Sequence, residues 1–107
     1  MANLVILSGN LGNDPELRHT KSGRDVAVFD IATTETWQGS SGKEKHTEWT
    51  RIEVWGGLAK ACAEYLQKGS RVLATGKLHT NQWETDGEKK FAKVVRASEV
   101  EFLDSKN

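Results

Sequence analysis

The stretch Thr47-Glu48-Trp49-Thr50-Arg51-Ile52-Glu53-Val54-Trp55-Gly56 decides how this chain is read. Thr50, Ile52 and Val54 share one parity; Trp49, Arg51, Glu53 and Trp55 share the other. Successive side chains of a β-strand point to opposite faces. Ile52 and Val54 belong in a core, so two tryptophans stand on the wet face together with Arg51 and Glu53. Large rings on a wet surface carry a solubility cost unless something uses them. A flat indole beside a cation is a stacking platform for an unpaired base, worth about 1–3 kcal/mol per base and indifferent to sequence. The competing reading is that such rings pack beneath loops or fill a contact between subunits.

Working outward, Val26 to Trp37 is a second long strand, with Ala27, Phe29 and Ile31 on one face and Asp30 and Thr34 on the other. Gln38 to Lys45 holds Gly-Ser-Ser-Gly and charges and reads as a mobile loop. Upstream, Asn3 to Gly9 reads as a strand. Its apolar run Leu4 to Leu7 predicts that both faces are covered, the second by another subunit. Gly12-Asn13-Asp14-Pro15 and Lys21-Ser22-Gly23-Arg24-Asp25 are turn signals around a short strand extension, Leu17 to Thr20. Downstream, Leu58, Cys62 and Leu66 recur four apart with Ala59 and Ala63 beside them, which predicts a helix over 58–67 stopped by Gly69. Arg71 to Trp83 is a strand with Val72, Ala74, Gly76 and Leu78 as its inner set. Thr85-Asp86-Gly87-Glu88 is a hairpin turn, and Lys89 to Leu103 is the last strand. The order β-β-β-α-β-β predicts an all-β domain with one helix, the five-stranded Greek-key barrel of the OB-fold, spanning 1–107 as one unit, with the helix plugging the barrel's open end.

Composition agrees. The chain has 107 residues, 36% hydrophobic and 28% charged, which suits one small globular core and not a two-domain enzyme cleft. Fifteen basic and fifteen acidic residues cancel, so partner choice rests on local charge rather than on the sum. The longest unbroken apolar run has four residues, too few for a membrane helix. No signal peptide is visible, so the expected location is cytoplasmic. Cys62 is the only cysteine and is read as a packed small hydrophobe.

Four tryptophans are many for a chain this short. Trp83 shares its parity with Arg71, Thr75, Lys77 and His79 and joins Trp49 and Trp55 on the wet face; Trp37, at the edge of the loop, is not fixed by parity. Phosphates require cations. Between 68 and 96 seven basic residues (Lys68, Arg71, Lys77, Lys89, Lys90, Lys93, Arg96) stand against three acidic ones (Glu84, Asp86, Glu88), so these strands are locally basic. Lys43 and Lys45 lie between Trp37 and Trp49. Arg51, flanked by two tryptophans on its own face, is the best single candidate for a phosphate contact; an ordinary solvated charge is the alternative for each lysine. His19, His46 and His79 have no metal-ligand spacing, the serines sit in no nucleophile elbow, and no glycine fingerprint for phosphate or dinucleotide is present. No enzyme, cofactor or metal is expected.

Read in order, Val5-Ile6-Leu7-Ser8-Gly9-Asn10-Leu11-Gly12-Asn13-Asp14-Pro15-Glu16-Leu17-Arg18, Ala32-Thr33-Thr34-Glu35-Thr36-Trp37, Thr47 to Ile52, Trp55-Gly56-Gly57-Leu58-Ala59, Glu64 to Ser70, and Val72 through Gly76 with Leu78 form a set of motifs covering nearly the whole chain. The sequence resembles the bacterial-type single-stranded DNA-binding protein family. The resemblance implies an OB-fold that assembles as a homotetramer and wraps single-stranded DNA. It implies stacking by Trp37, Trp49, Trp55 and Trp83, and backbone contacts from Arg51, Lys68 and Arg18, to which the local charge adds Lys43, Lys45, Lys77 and Arg71. Trp55 stands where the family often has Phe. Asn81, Gln82 and Gly57 stand where it often has basic residues. Family members commonly carry a Gly/Gln/Pro-rich extension ending in an acidic tip; the sequence stops at Asn107, so recruitment of repair partners through such a tail is not expected. The implied function is sequence-tolerant binding and protection of single-stranded DNA during replication, recombination and repair. The alternatives are a replication-restart accessory or a single-stranded RNA binder and, further off, a carbohydrate-binding module, since indole platforms also suit sugar rings.

Overall fold

A computed structural model describes residues 1–104. The chain forms β1 (Val5–Leu11), β2 (Glu16–His19), β3 (Asp25–Gly39), β4 (Gly42–Trp55), α1 (Gly57–Tyr65), β5 (Arg71–Thr85) and β6 (Glu88–Phe102). The strands follow one another as β1-β5-β6-β4-β3-β2, and β1 also pairs with β3 at Asn10↔Ala32 and Leu11↔Ile31. That pairing closes β1, β5, β6, β4 and β3 into a five-stranded barrel and leaves β2 as an outer flap on β3. The β4–β6 pair is parallel and the other pairs are antiparallel.

Alternation builds the core. Phe29 and Ile31 from β3, Ile52 and Val54 from β4, Val72 and Ala74 from β5, and Val95 from β6 are fully buried. From α1 and its C-terminus, Ala59, Cys62 and Leu66 join the same cluster. Burial pushes the Cys62 thiol up to about 11, which keeps it protonated and inert. The helix ends earlier than its apolar spacing predicts. Leu66 is already extended and its N–H reaches Cys62 O, while Gly69, at φ +93°, serves the following turn rather than the helix stop. Ser70 Oγ accepts from the Gln67 N–H, Ser70 N–H returns to Gln67 O, and Gly69 N–H donates to Leu11 O. These bonds take over the backbone groups that further helical turns would have paired.

Two antiparallel ribbons run on from the barrel. β3 and β4 stay paired out to Gly39↔Gly42, well past the last contact of β3 with β1 at Ala32. Residues 38–45, expected as a mobile loop, are therefore mostly strand, and the loop shrinks to Ser40-Ser41. Thr34 and Thr47 hydroxyls bond across this ribbon at 3.1 Å, and Gly42 takes φ +112° at the turn. The second ribbon is β5–β6, paired out to Thr85↔Glu88. Its Asp86-Gly87 turn has positive φ at both residues, +52° and +79°, the geometry that an Asp-Gly hairpin favours. β5 leaves β1 at Gly76, so Leu78 lies outside the barrel and is 44% exposed. Its expected place in the inner set is corrected accordingly: parity persists along the strand, but the core beneath it ends.

The β5–β6 register shifts between Thr75 and Gly76, which leaves Ser98 as the extra residue. Ser98 Oγ donates to Thr75 O. A bulge of this kind bends and twists a strand, here where the ribbon parts from the barrel. Gly76 lies against the opposing backbone, where a Cβ would collide with Arg96 O and Ala97 Cα. On β1, Val5 and Leu7 pack on the core, but Ile6 is exposed, as is Leu4 just before the strand. Within one chain the first strand is covered on one face, and the face expected to be covered by another subunit is exposed.

Because backbone rather than a movable side chain blocks the site, Gly76→Ala is expected to destabilise the fold by about 1–3 kcal/mol, read as a lower urea midpoint with unchanged slope. A midpoint equal to wild type contradicts this account of the β5–β6 approach.

Candidate nucleic-acid interface

The outer face of the sheet is laid out by register. Antiparallel partners share a face, so Trp49 lies beside Ala32, Arg51 beside Asp30, Glu53 beside Val28, and Trp55 beside Val26. β2 continues two of these rows with Glu16 and Arg18. On the other side β6 sets Arg96 next to Glu53, and β5 sets Lys77 opposite Arg96. Asn81 of β5 bonds Glu53, so the odd-numbered outer set of β5, which includes Lys77, His79 and Trp83, belongs to the same face. Three of the four tryptophans, Trp49, Trp55 and Trp83, thus share one surface with Arg51, Lys77 and Arg96.

The three rings differ in freedom. Trp49 is 61% exposed. It lies on the backbone at Gly12, where a Cβ would meet ring atoms Cζ3, Cε3 and Cη2. Gly12 is itself fixed by its N–H bond to Asp30 O. Trp83 is 48% exposed near the tip of the β5–β6 ribbon, opposite Lys90. Trp55 is mostly covered and is not an open wet-face ring. Its indole N–H donates to Glu53 Oε1 at 3.3 Å, and the guanidinium carbons of Arg24 and Arg96 lie 4.7 and 5.6 Å from its ring centroid. Glu53, expected on the wet face, is 8% exposed. Alternation assigned its direction correctly, but Trp55, Arg96 and Asn81 cover it.

Trp37 stands apart. On β3 it keeps the parity of Phe29 and Ile31 and pairs with Glu44. Beyond Ala32 that face has left the barrel, so the ring is 46% exposed on the side of the ribbon that also carries Glu35, Glu44, His46 and Glu48. Lys43 and Lys45 project to the opposite side, with Thr47 and Trp49. The β3–β4 ribbon therefore has a basic face that continues the Trp49 surface and an acidic face that carries Trp37.

Two of the cations singled out in the sequence already have partners. Arg51 Nε donates to Asp30 Oδ1 at 3.3 Å, and Asp30 is held in turn by Asn13 through a side-chain bond and a backbone bond. Arg18 makes a two-point pair with Glu16 at 3.1 and 3.0 Å. Hydrogen bonding to Arg18, and then its charge, hold the Glu16 carboxyl below its usual range. Both guanidinium groups are open to solvent, and the fully exposed Arg18–Glu16 pair contributes little to stability, so a competing anion can reach either cation. Among the described residues, Lys43, Lys45, Lys68, Arg71 and Lys77 make no ion pair. Lys68 is placed by its backbone N–H on Asp14 Oδ1 at 2.7 Å. Arg71 pairs with Asn10 across β1–β5 and borders a shallow groove with Ser8, Ala32 and Thr34. Sequence reasoning named Arg24 only as part of a turn and Arg96 only as one of a basic set. The structure places both against the Trp55 ring, on the candidate face. No group of His, Cys, Asp and Glu among the described residues is arranged to hold a metal ion.

A closed five-stranded barrel with a single helix among the described residues, and two ribbons running on from it, defines an OB-fold. The sequence pattern of the Single-strand binding protein family matches residues 2–103, and the chain belongs to that family. It is 44% identical over 108 residues to Single-stranded DNA-binding protein 1 of Chlorobaculum tepidum, a match covering 98% of this chain and 67% of that one. It is 36% identical to Single-stranded DNA-binding protein 1 of Xylella fastidiosa, covering 97% and 79%. A solved structure titled Plasmodium falciparum SSB complex with ssDNA superposes with a TM-score of 0.86 at 32% identity, covering 97% of this chain and 96% of that one.

Only the movable end of a side chain blocks a methyl at Gly12. Gly12→Ala is expected to shift the Trp49 indole N–H resonance while those of Trp37, Trp55 and Trp83 stay in place, with stability changed by no more than about 1 kcal/mol. An unmoved Trp49 resonance contradicts the packing described.

Proposed function

We propose that this protein coats single-stranded DNA without strong sequence preference, as a non-enzymatic binder serving replication, recombination and repair in the bacterial cytoplasm or nucleoid. The observation that carries the reading is Trp49, left open on the outer sheet face beside the exposed Arg51. Bases stack on Trp49 and Trp83. Phosphates follow Arg51, Lys77, Lys43 and Lys45, with Lys68, Arg71 and Arg18 at the flanks. Trp55 takes part from a partly covered position, and Trp37 engages the strand from the far side of the β3–β4 ribbon. Family membership and the likeness to a structure titled as a complex with ssDNA support this reading.

The protein works as an assembly of copies of this chain, a tetramer by family resemblance. Support comes from β1, whose residues Val5 to Gly9 pair only with β5 among the described residues, and from the exposed Ile6 and, just before the strand, Leu4. An unpaired strand edge next to open apolar side chains is a template for another chain.

Two measurements test this. Oligo-dT is expected to quench tryptophan emission with an affinity that falls as salt rises, and Trp49→Ala is expected to lose about 1–3 kcal/mol of that affinity with the fold intact. Tighter binding of oligo-U favours an RNA role, and quenching by a neutral oligosaccharide alone rejects the reading. Light scattering is expected to show an oligomer that Ile6→Asp dissociates; a monomeric wild type overturns the use made of β1.

A further inference from the structure

The least exposed acidic side chain among the described residues lies in the middle of the binding face. A carboxylate there is the wrong sign for a phosphate path, and burying one is costly unless it is fully paired. Glu53 is fully paired. Its Oε1 accepts from the Trp55 indole N–H at 3.3 Å and from Arg96 Nε at 3.2 Å, and its Oε2 accepts from Asn81 Nδ2 at 2.6 Å. The three donors come from three strands, β4, β6 and β5.

The geometry points to Glu53 as the positioning residue of the interface, acting through Trp55, Arg96 and the root of the β5–β6 ribbon. This rests on the single-stranded DNA reading above. Each of the three bonds has a distinct consequence. The bond to the indole N–H fixes the plane of Trp55. The ion pair holds Arg96 so that its guanidinium lies over that ring. The bond to Asn81 ties down the ribbon two residues before Trp83, on the same face. A two-stranded ribbon projecting from a barrel has no other sheet partner to fix its angle. Beyond Gly76, β5 pairs with β6 alone. Among the described residues, the only side-chain bonds besides Glu53's that reach this part of β5 from outside the ribbon are those of Asn3 to the Leu78 backbone. Asn81 also gains a reason to stand where the family often has a basic residue: here the position serves a buried carboxylate, and its amide donates without adding a charge. Glu53 thus keeps Trp55 and Trp83 in fixed relation before any strand arrives, which lowers the ordering cost of binding.

The test uses the full chain and oligo-dT. Glu53→Ala breaks all three bonds but strands Arg96, so it is paired with the double variant Glu53→Val/Arg96→Val. The double variant replaces the ion pair with apolar side chains, a change that buried pairs often tolerate. Glu53→Gln serves as the conservative variant, since its amide oxygen still accepts a hydrogen bond. Hydrogen exchange of the Trp55 indole proton is expected to be slow in wild type and Glu53→Gln and fast in the other two. Oligo-dT affinity is expected to fall about three- to tenfold in both disrupted variants, as for a lost preorganised side chain. Glu53→Gln is expected to stay near wild type, and the slope of affinity against salt is expected to be unchanged for Glu53→Gln and Glu53→Ala. If Glu53 acts only as a repelling charge, Glu53→Gln binds more tightly with a steeper salt slope, and the proposal is overturned. It is equally overturned if the folded double variant binds oligo-dT like wild type. Failure of the underlying function is recognised separately, because wild type itself then shows no quenching by oligo-dT.

Discussion

β4 is the element on which both the barrel and the binding face depend. Its inner half pairs on both sides, with β3 and with β6, and so is held at fixed pitch. Ile52 and Val54 lock the inward face into the core with no exposure at all. Strand alternation then leaves Trp49, Arg51, Glu53 and Trp55 nowhere to point but outward. Slipping β4 by one residue would bury a row of charge and indole and expose two core residues, so the register is strongly specified. The same hydrophobic contacts that stabilise the barrel therefore set the direction of the interface.

The rest of the outer face depends on how each ring is held. Trp49 lies on a glycine whose missing side chain makes room for it. Trp83 rides on a ribbon whose angle is set by a bulge at Ser98 and a side-chain bond from Asn81. Trp55 is tethered by its polar edge and flanked by two guanidinium groups. These are three different solutions to keeping a large apolar surface ordered in water, and each draws on residues that are distant in sequence. The cations are arranged with similar economy. Arg18 rests on an exposed carboxylate and Arg51 on a partly buried one, each through an open guanidinium that an incoming anion can reach, whereas Arg96 is committed to a buried carboxylate.

How much of this was legible from the chain follows from the range of the interactions. Strand parity needs only neighbours, so the inward set of β3 and β4, the outward set at Trp49 and Arg51, the helix and the Asp86-Gly87 turn were all readable. So was the strand order that implies a barrel. Parity does not say where the barrel ends. Leu78 and Trp37 both keep inner parity beyond the last strand that could cover them, and both are exposed. The Gly-Ser-Ser-Gly composition of 39–42 suggested a long loop, because glycine and serine mark turns. It hid the cross-strand pairing of Thr34 with Thr47, which is a tertiary fact. Glu53 was misread for the same reason: its direction is local, but its burial is conferred by Arg96 and Asn81, 43 and 28 residues away.

The two sides of the β3–β4 ribbon carry a mechanical consequence. Trp37 and Trp49 face away from each other across a ribbon one strand thick. A polymer that touches both has to fold around the ribbon's edge and reverse its heading within a few monomer lengths. Duplex DNA, with a persistence length of about 150 base pairs, is far too stiff for such a hairpin course, while a chain free to rotate about each backbone bond follows it readily. In the proposed function, where one strand reaches both rings, the ribbon sorts ligands by bending rigidity before any base or phosphate is read.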